Sequence, residues 1–320
     1  MKLAVKISLI VATSLVMLGI VIFAVAMSLN GWDFKKLSNG GLESKTYEEI
    51  GDFNNISITA LYEDVKFLPF DGDGCKIVCD ERSKMSHSVV ITDGALKIQT
   101  QDDRAWYEKL FNFGEEKMTV YLPNSEYGVL NVVGRTGDIL IPKDFTFESI
   151  DVQLSTGDVE CFASAKGAVK ITASTGDIDV EGITASVLEL TVSTGDIDVK
   201  LAILDGEVKI KVSTGETDLS DLTCNSLVSS GNTGDIGLKN VIVSGSVNIE
   251  RSTGDVEFNH CDASEIVVKT DTGDVNGTLL SDKIFFVETD TGRVSVPKTT
   301  TGGKCTVTTS TGNIIFEIAI

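Results

Sequence analysis

A Thr-Gly pair recurs along more than half of the chain, ending at Gly137, Gly157, Gly176, Gly195, Gly215, Gly234, Gly254, Gly273, Gly292 and Gly312. The spacings are 20, 19, 19, 20, 19, 20, 19, 19 and 20 residues. A period held near 20 restricts the chain to a repeat architecture, in which each unit buries its apolar face only against its neighbours. With each motif glycine counted as zero, positions −7, −5 and −3 are apolar, as in Leu188, Leu190 and Val192. Positions +2 and +4 are apolar too, as in Ile197 and Val199. Such alternation is the period of a strand with one buried face. The apolar parity changes across the glycine, so the chain must turn or bulge there. Glycine suits that corner because it reaches φ > 0 without a Cβ clash.

A second bend is expected nine to twelve residues on, in stretches such as Leu204-Asp205-Gly206-Glu207. No repeat has the helical periodicity that a βαβ crossover needs, and the leucine-rich signature is absent. Each repeat therefore reads as one coil of a parallel β-solenoid, with coils about 4.8 Å apart and about five aliphatic side chains buried in each. The residues at position −5, Ile171, Leu190, Ile210, Ile249, Val268 and Val287, should stack as one inward column.

The rest of the chain reads in segments. Residues 1–30 hold an uncharged run, Ile7 to Met27, behind Lys2 and Lys6. As a helix that run spans about 32 Å, enough for a hydrocarbon core, with the lysines holding the N-terminus inside. A cleavable signal peptide is the rival, since Ala24-Val25-Ala26 fits a small-x-small site. Residues 31–48 read as a tether and residues 49–127 as an N-terminal β cap with a hairpin at Asp93-Gly94. Residues 128–320 are the solenoid. Within the cap, Trp106, Leu110 and Phe113 fall on one side of a short helix. They either pack on the cap or form a contact patch for lipid or a partner.

The net charge of −20 argues against nucleic acid and against charge-driven binding to an anionic membrane surface. The six cysteines show no disulfide framework and no zinc spacing, so they are expected to be structural, and no metal or cofactor is expected. Of the two histidines, His260 sits beside Cys261 and Asp262, but adjacent strand residues face opposite ways, so they form no dyad. β-Helix enzymes that cut sugar polymers use clustered acids. Here the acids are the rule of the repeat, whereas a catalytic site is a local exception to it. The residue after each glycine forms a row: Asp138, Asp158, Asp177, Asp196, Glu216, Asp235, Asp255 and Asp274. Each acid is expected to accept bonds from its own corner. A cationic ligand lying along the row is the second reading.

Met118-Thr119-Val120-Tyr121-Leu122-Pro123, followed by serial Ser-Thr-Gly-Asp-Ile/Val motifs, resembles the bacterial putative-adhesin family, also called the toastrack domain. The aromatic segment Trp106 to Phe113 is similar too. The resemblance covers residues from about 50 to 320 and departs from the motif at Glu216, Arg293 and Asn313. It implies an all-β, single-stranded, right-handed parallel β-helix on a membrane-anchored envelope protein, with no catalytic residues. The expected function is a non-enzymatic, single-pass, extracytoplasmic solenoid that senses or binds something at the cell envelope, such as an envelope protein or a cationic peptide, in a stress response. An adhesin or structural stalk is the alternative, and a polysaccharide-active enzyme is a third.

Overall fold

A computed structural model describes residues 3–29, 31–32, 42–72, 74–106 and 116–319. The chain divides into two compact units, one of residues 1–43, 81–86 and 101–115, the other of residues 44–80, 87–100 and 116–320. The smaller unit carries the helix Leu3–Leu29. From Lys6 to Leu29 the helix is long and apolar enough to cross a membrane. Ile10, Leu15 and Val16 are all exposed, so its apolar surface runs round the helix and has no core-facing stripe. Farther along the same unit, Arg104 pairs with Asp102 at 2.8 Å.

The larger unit is a parallel β-solenoid. One repeat runs through the strands Val187–Thr194, Ile197–Lys200 and Ile203–Leu204, and the next begins at Glu207–Thr214. Neighbouring coils stack in register, with Leu188 opposite Val208, Leu190 opposite Ile210 and Ile197 opposite Thr217. The alternation decides which side chains point in: Leu188, Leu190, Val192, Ile197, Val199, Ala202 and Leu204 are all buried. That is seven per coil, not about five, because Ala202 in the turn and Leu204 in the two-residue strand join the inward set. A further corner also precedes the expected second bend. It falls at position +6, where Leu201, Asp221, Asn240 and His260 have φ of 52–55° and Gly182 has 70°. These residues share no chemistry, so their sequence carries no signal of the bend.

The stack does not follow chain order at its ends. The strand Gly303–Thr311 lies between Val256–Thr272 and Lys283–Thr291, pairing Ile266 with Cys305 on one side and Phe285 with Cys305 on the other. Ile314–Ile318 is likewise flanked by Val275–Leu279 and Val294–Ser295. The last coil in sequence is therefore next to last in space. In the expected column, Val307 stands between Val268 and Val287. The other end repeats the arrangement. Asn55–Ala60 lies between Ala95–Asp102 and Glu126–Thr136, and Glu63–Pro69 lies between Glu116–Leu122 and Ile139–Ile141. Residues 55–69, assigned above to the cap, thus form a coil of the stack. Their inward residues Ile56, Ile58, Ala60, Val65 and Phe67 change parity as the later repeats do, without a Thr-Gly corner.

Candidate functional site

All ten motif glycines lie in the left-handed region, with φ from 115° at Gly137 to 158° at Gly292. Stacking adds a second constraint. A Cβ on Gly195 would sit 2.1 Å from the carbonyl oxygen of Gly176, and one on Gly215 would sit 2.0 Å from that of Gly195. Each corner therefore presses on the backbone of the corner beside it. The coil that comes first in the sequence has Glu63 at this position instead. Its carboxylate accepts from the amides of Leu61 (2.8 Å) and Tyr62 (3.0 Å) and lies 3.1 Å from His87 Nε2. Burial acts to raise the Glu63 pKa, but the bonds from His87, Tyr62 and Leu61 hold it below the ordinary value.

The glycine corners set the acids that follow them in an exposed row. The bonds within the row run between coils, not within one corner as expected. Asp138 accepts the amide of Asp158 at 2.9 Å, Asp158 that of Asp177 at 2.8 Å, and Asp177 that of Asp196 at 2.8 Å. Asp196 accepts that of Glu216 at 2.7 Å. The physical reason is the corner itself: it leaves one amide unpaired on the stacking axis, and an aspartate one coil away reaches it. Asp64 begins the row by accepting from Asp138. Asn313 continues it with an amide oxygen, taking the Arg293 amide at 3.0 Å. Among the described residues the row breaks at Glu216, which accepts no bond from Asp235; pairing resumes with Asp235 accepting from Asp255.

Two outcomes follow for stability. Asp196→Asn should be nearly neutral in urea unfolding, since Asn313 shows that an amide oxygen serves, whereas Asp196→Ala should cost about 0.5–1.5 kcal/mol. Glu216→Asp should add the missing bond and stabilise by a similar amount. A larger loss for Asp196→Asn than for Asp196→Ala would contradict the inter-coil bond.

A second acid row, not singled out from the sequence, runs beside the first at position +3. Glu160, Asp179, Asp198 and Asp218 face one another across successive coils. Its signal was the second Asp of Ser-Thr-Gly-Asp-Ile-Asp. Burial, then the charge of Asp198, pushes the Asp179 and Asp218 carboxyls above their ordinary range, and Lys200, paired with Asp198, works the other way. The two rows make a strip of carboxylates at the coil pitch. Among the described residues no three His, Cys, Asp or Glu side chains converge as a metal site.

Trp106 is 75% exposed, while Leu110 and Phe113 lie outside the described residues. All six cysteines are buried and none is in a disulfide, and burial pushes Cys161, Cys224 and Cys305 up to about 12. His260 bonds Asn259 at 2.6 Å, and the Cys261 thiol bonds the Leu238 carbonyl in the core.

The family model described as Toastrack DUF4097 matches residues 53–216 and 202–319. No curated protein matches the chain. Among solved structures, the chain is similar to a putative lipid binding protein from Parabacteroides distasonis ATCC 8503, with 13% identity and a TM-score of 0.49, over 88% of this chain and 98% of that one. It is also similar to a putative adhesin from Bacteroides fragilis NCTC 9343, with 14% identity and a TM-score of 0.45, over 88% of this chain and 99% of that one. A putative adhesin from Parabacteroides distasonis ATCC 8503 shows 14% identity and a TM-score of 0.42, over 85% and 98%.

Proposed function

The chain belongs to the toastrack family, and from that premise we propose a non-catalytic, membrane-anchored adhesive module that presents its solenoid outside the cell. The observation that carries this reading is one polypeptide with an apolar span at Lys6–Leu29 and a long stack of near-identical coils. Ten corners at about 4.8 Å pitch extend over about 43 Å, so one chemical pattern repeats along a line, as suits contact with an extended partner. On this reading the contact face is the acid strip and the partner is cationic, drawn in by a field that salt screens.

Two measurements test it. Protease added to intact, wall-stripped cells should digest the solenoid while the N-terminus stays protected. A mature protein beginning at Met27 would remove the anchor. Binding of a polylysine probe should weaken with salt and fall several-fold when Asp179, Asp198 and Asp218 become Asn. Unchanged binding would move the contact face elsewhere. Sensing of envelope stress is the finer form of the same reading. It requires that deleting the protein alter stress-promoter output, and an unaltered output leaves adhesion alone.

A further inference from the structure

The two ends of the solenoid are finished differently. At one end lies the strand Ala95–Asp102, and its inward residues Leu96 and Ile98 are fully buried. Inside the stack even Arg251, a charge at position −3, is only 3% exposed. At the other end, on the strand Lys283–Thr291, the inward residues Phe285 and Val287 are only partly buried. Val294 stands at position +2, which is buried in the other coils, yet it is 44% exposed. Phe286, facing outward on the same strand, is 55% exposed.

Among the described residues Lys283–Thr291 has one ladder partner, Gly303–Thr311, so its other edge has no strand beside it. Edges of this kind are commonly blunted by proline, bulges or inward charges. Ile284–Val287 carries none of these, and the register to Gly303–Thr311 is unbroken. Lys283, the one inward charge, is drawn back to Asp262 at 2.6 Å. The following loop bonds the strand at its first residue, where the Thr299 hydroxyl donates to the Lys283 carbonyl.

The strand complements itself when reversed. In an antiparallel pair centred on Phe286, Phe285 of one copy lies opposite Val287 of a second, so the two cores become continuous. Charge follows the same reversal. Glu288 falls opposite the second copy's Ile284, whose neighbour in the next coil is Lys304. Among the described residues neither Glu288 nor Lys304 has an ion pair, and Lys304 lies over the Phe286 ring at 5.5 Å. The two-fold thus brings each acid toward the other copy's lysine, twice per pair. The end coil, residues 283–302, offers 20 residues, which matches the about 20–30 per side of a stable interface.

We propose that two copies of this chain associate end to end, with Ile284–Glu288 of each forming an antiparallel pair across a two-fold axis at Phe286. The contact is independent of the acid strip.

The test uses the full chain in detergent. It should sediment as a dimer at micromolar concentration, and Phe286→Glu, a change at an exposed position, should make it monomeric. Glu288→Lys and Lys304→Glu should each weaken the dimer several-fold, and the two together should restore it, which damage to the fold would not do. Phe286→Cys should form an intermolecular disulfide under mild oxidation, whereas Ser252→Cys, exposed on an interior coil, should not. A wild-type monomer would leave the edge to another protein or to another segment of this chain, and overturns the proposal. A dimer that survives Phe286→Glu unweakened, held by the apolar helix or by another face, overturns it equally.

Discussion

Gly195→Ala should destabilise the solenoid by more than about 2 kcal/mol, and Gly195→Val should abolish cooperative folding. Two penalties coincide there. The φ of 140° is rarely adopted by a residue with a Cβ, at a cost of about 1–3 kcal/mol. The added methyl also lands 2.1 Å from the Gly176 oxygen, a backbone atom held by stacking that has no rotamer to escape into. Gly182 separates the two terms. Its φ is 70° but nothing lies within 4 Å of its Cβ position, so Gly182→Ala should cost about 1–2 kcal/mol, the conformational part alone. Equal losses at the two sites in urea denaturation would show that stacking contributes nothing at the corner.

Removing residues 303–320 should unravel two coils, not one. Among the described residues the only ladder partner of Lys283–Thr291 is Gly303–Thr311, so the outermost coil loses its whole support. Cys305, Val307, Ile314 and Phe316, all buried, go with it, and their burial is worth about 1.5–3 kcal/mol apiece before chain entropy. Hydrogen exchange should show residues 283–295 labile within seconds, with Glu207–Thr214 and Ile242–Thr253 still protected. Retained protection at Lys283–Thr291 would place the end coils in plain chain order.

Much of this was legible in the sequence because one device is repeated. Leu190 and Ile197 show which side of the chain faces in, and the parity switch between them marks the corner. The order of the last two coils was not legible. Gly292 and Gly312 carry the same motif with the same parity, so the pattern fits either order. The coil at residues 55–69 had a faint signal, since Ile56-x-Ile58-x-Ala60 and Val65-x-Phe67 obey the repeat. With Glu63 in place of glycine and a long insertion after it, the period was broken. The acid row was visible as a row, but its bonding was not, because a sequence cannot tell which neighbour's amide an aspartate reaches. Arg251 looked like one more charge among many, until its strand set it on the inward side.

The tucked first coil matters most for a chain held by its N-terminus. On the proposed reading, drag enters through the residues that follow the apolar helix, passes Glu43–Ile50 and its partner Cys75–Glu81, and then reaches Asn55–Ala60. A strand at the rim of a stack would give way like a zipper, one pair of bonds at a time. Asn55–Ala60 is instead hydrogen-bonded in parallel on both flanks, to Ala95–Asp102 and to Glu126–Thr136. A pull along its length loads both ladders at once in shear. The first full coil to take the load is thereby held on both flanks, as an outermost coil would not be.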